Sequence, residues 1–85
     1  MVVTIPTVHI NGTSKKALLE QISKANHALI VAIDALVEMS PNGRDYYLTD
    51  NFKVASAEHR ARIAKIYEVK SEIMAIGEAI ADQEE

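Results

Sequence analysis

Apolar residues recur at helical spacing over two long stretches of this chain, and this periodicity limits it to a predominantly helical fold. In the first stretch, steps of four and three residues connect Leu18, Ile22, Ala25, Leu29, Ala32, Leu36 and Met39. The second stretch keeps the helical period through Phe52, His59, Ile63, Ile66, Ile73, Ile76 and Ile80. Residues at such steps lie on one face of an α-helix. The sequence therefore predicts two long amphipathic helices.

Capping and helix-breaking residues set the limits of the first helix. Thr13 or Ser14 can serve as its N-cap, because either hydroxyl accepts a hydrogen bond from a free helix amide. Pro41 cannot continue the backbone hydrogen-bond ladder, and the residue before a proline avoids the α region. The first helix is therefore predicted over 14–39.

The connecting loop is predicted over 40–49. Asn42 and Gly43 are expected to supply the positive φ that reverses the chain. Thr49 or Asp50 can then cap the second helix, because both side chains accept hydrogen bonds from helix amides. This helix is predicted over 50–82.

The N-terminal segment 1–12 is predicted to be an extended arm. Alternating polar and apolar residues over Thr7–Ile10 favour a short half-buried strand. Pro6 restricts such a strand to an edge position. Because the chain offers no second strand, the arm is expected to pack on a helix surface or, as we favour, on another subunit.

Chain length and the width of the apolar stripes together predict a homo-oligomer. The 85 residues form one domain, 1–85, and a chain of this size buries only about 60% of its unfolded surface when it folds alone. Further apolar residues widen both stripes: Leu19, Ile30, Ile33, Val37, Tyr67, Val69 and Met74. The predicted fold is all-α, a helical hairpin of two long antiparallel helices with a short extended arm. Two or more hairpins would assemble into an oligomeric helical bundle.

Composition and charge exclude several classes of function. A net charge of −3 argues against binding to DNA or RNA polymers, since such proteins carry a basic excess. The absence of cysteine excludes disulfides and thiolate metal sites. The longest apolar run, Ala28–Ile33, is far shorter than the roughly 20 residues that span a bilayer. We therefore expect no membrane partner, and, because no secretory signal is recognisable, a cytoplasmic location.

The loop carries more chemistry than a chain reversal requires. Arg44 and Asp45 are followed by Tyr46 and Tyr47. Arginine offers a planar fork that matches phosphate, and tyrosine rings offer flat faces on which a base can stack. This combination suits a nucleotide-like anion. In the structural alternative, Arg44 pairs with Asp45 or binds the last carbonyls of the first helix, while the tyrosines cover the end of the bundle.

A second candidate anion site lies at the start of the first helix. Lys15 and Lys16 occupy the first turn, where the helix dipole favours negative charge, so their presence is unusual. With Ser14 and the free helix amides, they could bind a phosphate. The simpler alternative is two solvated lysines.

His59 is the most unusual residue of the second helix, because it replaces an aliphatic residue on the buried stripe. It is a hydrogen-bonded core residue, a contact to a ligand, or a proton-transfer residue next to the loop. Neither catalytic residues nor a cofactor are predicted, since no motif unites His59 with a nucleophile. No metal site is expected either, because His9, His27 and His59 are isolated in sequence.

Several segments resemble those of small uncharacterised proteins encoded by tailed bacteriophages and prophages. The resemblance rests on four segments: Thr7–Ser14, Pro41–Tyr47, Glu58–His59 and Ala79–Gln83. It implies a viral origin and a location in the cytoplasm of the bacterial host. Some small oligomeric phage proteins act as sponges for the signalling nucleotides of bacterial immunity, a comparison that rests on size and style and not on a motif.

Two hypotheses for function follow. In the first, a small oligomeric phage protein binds a nucleotide-like ligand, and such an immune signal is one candidate. The candidate ligand-binding residues are Ser14, Lys15, Lys16, Asn42, Arg44, Asp45, Tyr46, Tyr47 and His59. In the alternative, the chain is a phage structural or protein–protein interaction module with no small-molecule ligand. An enzymatic function is not expected.

Overall fold

A computed structural model describes residues 2–48 and 51–84, and within these ranges all regular structure is helical. Helix α1 spans Lys15–Glu38 and helix α2 spans Phe52–Ala81. A short 3-10 turn, Gly43–Asp45, lies between them. The two helices pack against each other. This confirms the prediction of an all-α fold built from two long helices in contact.

The two ends of α1 follow its capping chemistry. Ser14 is the N-cap, with extended dihedral angles, and its Oγ accepts a hydrogen bond of 3.1 Å from the Ala17 amide. At the other end, the Met39 amide donates to the Ala35 carbonyl, which closes the last turn. Asn51 occupies the N-cap position of α2. The predicted caps Thr49 and Asp50 lie outside the described residues.

The chain turns after α1 without the predicted positive φ, so that prediction is wrong. No glycine in the described ranges, Gly43 included, has a positive φ. Instead, the Asn42 side chain accepts a hydrogen bond of 2.9 Å from the Arg44 amide and starts the 3-10 turn. A right-handed turn of this kind needs no left-handed residue, because its hydrogen bonds form at ordinary dihedral angles.

The helices meet along a seam of residues that are at least half-buried. On α1 these are Lys15, Leu19, Ile22, Asn26, Leu29, Ile33 and Leu36. On α2 they are Ser56, His59, Ile63, Ile66, Lys70, Ile73, Gly77 and Ile80. Both sets follow steps of four and three residues, the period of a coiled-coil seam.

The α1 seam is rotated relative to the predicted one. Ala25 and Met39 were expected inside but are exposed, while Asn26 and Ile33 take their places. Because an alanine buries little apolar surface, the larger Ile33 decides which face turns inward. The prediction for Ala25 is wrong for this reason, whereas Met39 is exposed as the C-cap beyond the last helical residue, Glu38.

The core between the two helices is thin. The fully buried apolar side chains of the described residues are Ile33 and Ile80. The molecule is a rod of 62 × 22 × 16 Å with a radius of gyration of 18.3 Å, whereas a compact chain of this length has about 12 Å. Two helices side by side leave most of their surface uncovered.

The arm lies against the end of α2 and forms no strand within the described residues. The side-chain amide of Gln83 holds it from both sides. Its Oε1 accepts from the Val8 amide at 2.8 Å, and its Nε2 donates to the Pro6 carbonyl at 2.8 Å. The predicted strand is therefore wrong: a single glutamine replaces the neighbouring strand, and this part of the arm packs on its own chain.

Candidate functional site

The candidate loop residues are mostly exposed and only one of them packs. Tyr46 is half-buried, and its ring centroid lies 6.1 Å from that of Phe52. Arg44 and Asp45 are exposed, and Tyr47 is 79% exposed. The Asn42 side chain is engaged in the turn. The loop thus presents a guanidinium, a carboxylate and one aromatic ring to its surroundings.

At the start of α1, two of the three predicted anion-binding residues have structural contacts. The Ser14 hydroxyl caps the helix. The half-buried Lys15 donates from Nζ to the Gln83 carbonyl oxygen at 2.7 Å, so its ammonium ties α1 to the end of α2. Lys16 is exposed.

Two hollows border this end of the molecule. A groove of about 450 Å³ is lined by Lys15, Lys16, Leu19, Glu20 and Ser23. A second hollow, of about 320 Å³, is lined by Val8, His9, Ile10, Gly12 and Ser14. The carboxylate of Glu20 shares the first groove with both lysines and opposes the binding of an anion there.

The structure does not bring the two candidate regions together within one chain. The helix α1, with 24 residues, separates Lys15 from the loop. At a rise of about 1.5 Å per residue it is about 36 Å long. Arg44 and Lys16 of one protomer therefore cannot contact the same small ligand.

His59 lies in the seam and has a hydrogen-bond partner on the other helix. It is 3% exposed, and its Nε2 donates to the Leu36 carbonyl oxygen. The last four carbonyls of a helix have no amide partner within their own helix. The Leu36 carbonyl is one of these four in α1. His59 thus caps α1 from the side, which is the structural interpretation of this residue.

A small hollow beside His59 is too small for a nucleotide. Its volume is about 150 Å³, whereas ligand pockets span roughly 300–1,000 Å³. The lining residues are Ser40, Pro41, Ser56, His59, Arg60 and Ile63. The sequence placed His59 on the buried face correctly, but it could not show that the neighbouring space is this limited.

Three structurally important residues were missed by the sequence reasoning. Gln83 anchors the arm. Gly77 allows close approach of the helices, because a Cβ built there would lie 2.8 Å from Ile22 Cγ2. Asn26 lies in the apolar seam with its Oδ1 buried and without a hydrogen-bond partner. A glycine inside a helical repeat, and an asparagine at a seam position, were the available signals.

Residues 2–48 and 51–84 contain neither a helix that could cross a membrane nor a cluster of metal ligands. Neither helix combines the length and apolar character needed to cross a membrane. Histidine and acidic side chains do not gather there in groups of three that could hold a metal ion. No family model, curated protein or solved structure matches this chain.

Proposed function

We propose that this protein is a self-associating helical interaction module, an antiparallel hairpin that works through its surface and not through an enclosed ligand pocket. Three contacts support the antiparallel arrangement: Lys15 with Gln83, the close approach of Ile22 and Gly77, and Leu36 with His59. Their order along α1 is the reverse of their order along α2. The module would assemble into a bundle of four helices or more.

The main support for this proposal is the solvent-accessible surface area of the chain. The chain exposes 6560 Å², whereas a compact monomer of 9.4 kDa exposes about 5,000 Å². The excess of roughly 1,500 Å² is more than the 800 Å² or so that each partner buries in a standard interface. Large apolar residues on the two helices contribute to it: Ile30, Val31, Val37, Phe52, Val54, Tyr67, Val69 and Met74.

The proposal is tested by the molar mass in solution. Sedimentation equilibrium from micromolar to hundreds of micromolar protein should give at least twice the chain mass of 9.4 kDa. Helical circular dichroism should decrease together with the mass on dilution, because the thin core of one hairpin is marginal alone. A fully helical monomer throughout this range would overturn the proposal.

A second candidate function is the binding of a nucleotide-like anion at the loop, as in a phage protein that sequesters immune signals in the bacterial cytoplasm. The observation in its favour is the joint exposure of Arg44 and Tyr47 in one short loop. In a bundle, loops or helix starts of neighbouring protomers could complete such a site. Calorimetry with cyclic dinucleotides, cyclic trinucleotides and ADP-ribose derivatives tests it, and absence of heat with all of them would contradict it.

Replacement of Arg44 by alanine separates the ligand hypothesis from a structural role. Its exposed side chain leads us to expect a change in unfolding free energy within about 0.5 kcal/mol. If Arg44 binds a ligand, the alanine variant should lose the heat of binding while its thermal stability stays unchanged. A loss of more than about 1 kcal/mol would instead identify a structural clamp.

A further inference from the structure

We propose that self-association uses one particular face of the hairpin, and that its occupant is the same face of a second copy. The flanking face, as we call it, consists of Ser23, Ile30 and Val37 on α1, with Arg60, Tyr67 and Met74 on α2. This inference rests on the proposed self-association and names the surface responsible for it.

Helix geometry places these residues side by side. Each follows a seam residue directly: Ile30 follows Leu29, and Tyr67 follows Ile66. On each helix the members recur every seven residues, so they form a straight row beside the seam. In an antiparallel pair, the two rows that follow the seam lie on the same side of the pair. The flanking face therefore extends across both helices.

The flanking face is apolar at its centre and uncovered. Ile30, Val37, Tyr67 and Met74 are between 39% and 54% exposed. The groove lined by Lys16, Leu19 and Ser23 continues the same side of α1 toward its start. This side of the hairpin therefore combines an exposed apolar centre with a groove of mixed polar and apolar lining near the start of α1.

The opposite flank of the seam is already partly occupied. The row that precedes the seam on this flank contains Leu18 on α1 with Val69 and Ile76 on α2, and of these Leu18 and Ile76 are half-buried. Gln83, just beyond the end of α2 at Ala81, holds the arm at that end of the rod. The flanking face carries no such cover, which is why we assign the dimer contact to it.

A second copy fits the charges of the hairpin. The first half of α2 is basic, with Lys53, Arg60, Arg62 and Lys65 against Glu58. The second half is acidic, with Glu68, Glu72 and Glu78 against Lys70, and Asp82 and Glu84 follow just beyond its end. On α1 the order is the same, with lysines near the start and Asp34 and Glu38 near the end. Neighbouring helices that run in opposite directions therefore place unlike charges together, whereas parallel neighbours would repel.

Two polar seam residues border the flanking face. The buried Oδ1 of Asn26 has no hydrogen-bond partner, a costly state for a buried oxygen. The half-buried Lys70 donates from Nζ to Met74 Sδ at 3.3 Å, and a thioether is a weak acceptor. A single polar layer in an apolar bundle restricts its register and its number of chains. Asn26→Leu should accordingly give more than one oligomeric species in sedimentation, and a single unchanged species would refute this role.

The chain offers a matched pair of variants for the main test. Val37 on the flanking face and Val31 on the outer side of the same helix are both 54% exposed. We expect Val37→Glu to weaken dimerisation by at least about tenfold in sedimentation equilibrium, because it places a charge in an apolar contact. Val31→Glu should leave the dissociation constant within about twofold of wild type.

A second measurement remains valid if the glutamate variant fails to fold. The described chain has no cysteine, so Val37→Cys and Val31→Cys each introduce one thiol. In the assembled protein, the thiol of Val37→Cys should be alkylated at least about tenfold more slowly than that of Val31→Cys, because the interface protects it. The difference should disappear in denaturant.

The outcomes separate this inference from the proposed function. A wild-type oligomer in which both glutamate variants behave alike, and both thiols react equally, refutes the flanking face but leaves self-association intact. Dissociation by Val69→Glu alone would assign the contact to the opposite flank. A monomeric, folded wild type would overturn both proposals, and protection of Val37→Cys only after another protein is added would assign the face to a different partner.

Discussion

The two ends of the rod are held together in different ways. At the end where Lys15 contacts Gln83, which we call the open end, Ile80 is 1% exposed and Gln83 also holds the arm. At the loop end, Tyr47 is 79% exposed and Phe52 is 39% exposed. There, the buried His59 makes the contact between the helices.

The two ends differ in the side chains that their contacts use. The open end uses its polar side chains for contacts between segments that are distant in sequence. The loop end uses a few local hydrogen bonds for its turn and leaves Arg44 and Tyr47 available. Exposed side chains that make no packing contact remain available for binding, and in the loop these are Arg44 and Tyr47.

The largest expected effect compares one apolar residue from each end. Ile80→Ala should lower the free energy of unfolding by about 2–5 kcal/mol, because a fully buried side chain leaves a cavity. Phe52→Ala should cost about 1 kcal/mol, because much of the ring is already in solvent. Urea denaturation at equal protein concentration measures both. Equal losses would mean that the two ends are packed alike.

Next in size is the contact of His59 with α1. His59→Ala should cost about 2–3 kcal/mol, because it creates a cavity and leaves the Leu36 carbonyl without its donor. His59→Gln retains an amide donor at similar reach and should recover at least half of this loss. Thermal unfolding provides the comparison. If glutamine is no better than alanine, packing and not the hydrogen bond explains the role of His59.

A smaller and local effect is expected at the open end. Gln83→Glu keeps the acceptor for the Val8 amide but removes the donor to the Pro6 carbonyl, at a cost of about 1 kcal/mol. The Val8 amide should then exchange with solvent several-fold faster. Gln21→Glu, an exposed site on α1, introduces the same charge and serves as the control. Equal exchange rates in the two variants would show that Gln83 does not anchor the arm.

The smallest effect is expected for Gly77→Ala, and its sign should depend on the side chain at position 22. Gly77→Ala gains about 1 kcal/mol of helix propensity but forces Ile22 to move, which costs about 1–3 kcal/mol. We expect a net loss of about 1 kcal/mol in wild type. In an Ile22→Ala background the clash is absent, and the same change should stabilise the protein. A double-mutant cycle by urea denaturation measures the sign, and destabilisation in both backgrounds would locate the strain elsewhere.

The sequence by itself determined the helices and much of the seam. The apolar period fixed two long helices, because it is repeated over many turns and no local alternative buries the same residues. It also placed His59 on the buried face and offered Ser14 as a possible cap. These features depend on short-range chemistry, which a sequence displays directly.

Only the tertiary structure decided how the pieces meet. The rotation of α1 toward Asn26 and Ile33 depends on which side chains fit against α2, and the period alone allows either face. The contact between the Gln83 amide and the arm joins segments from opposite ends of the sequence, so no local pattern could indicate it. The same holds for the distance between Lys16 and Arg44, because one rigid helix keeps apart two cationic groups that were both candidates for binding the same anion.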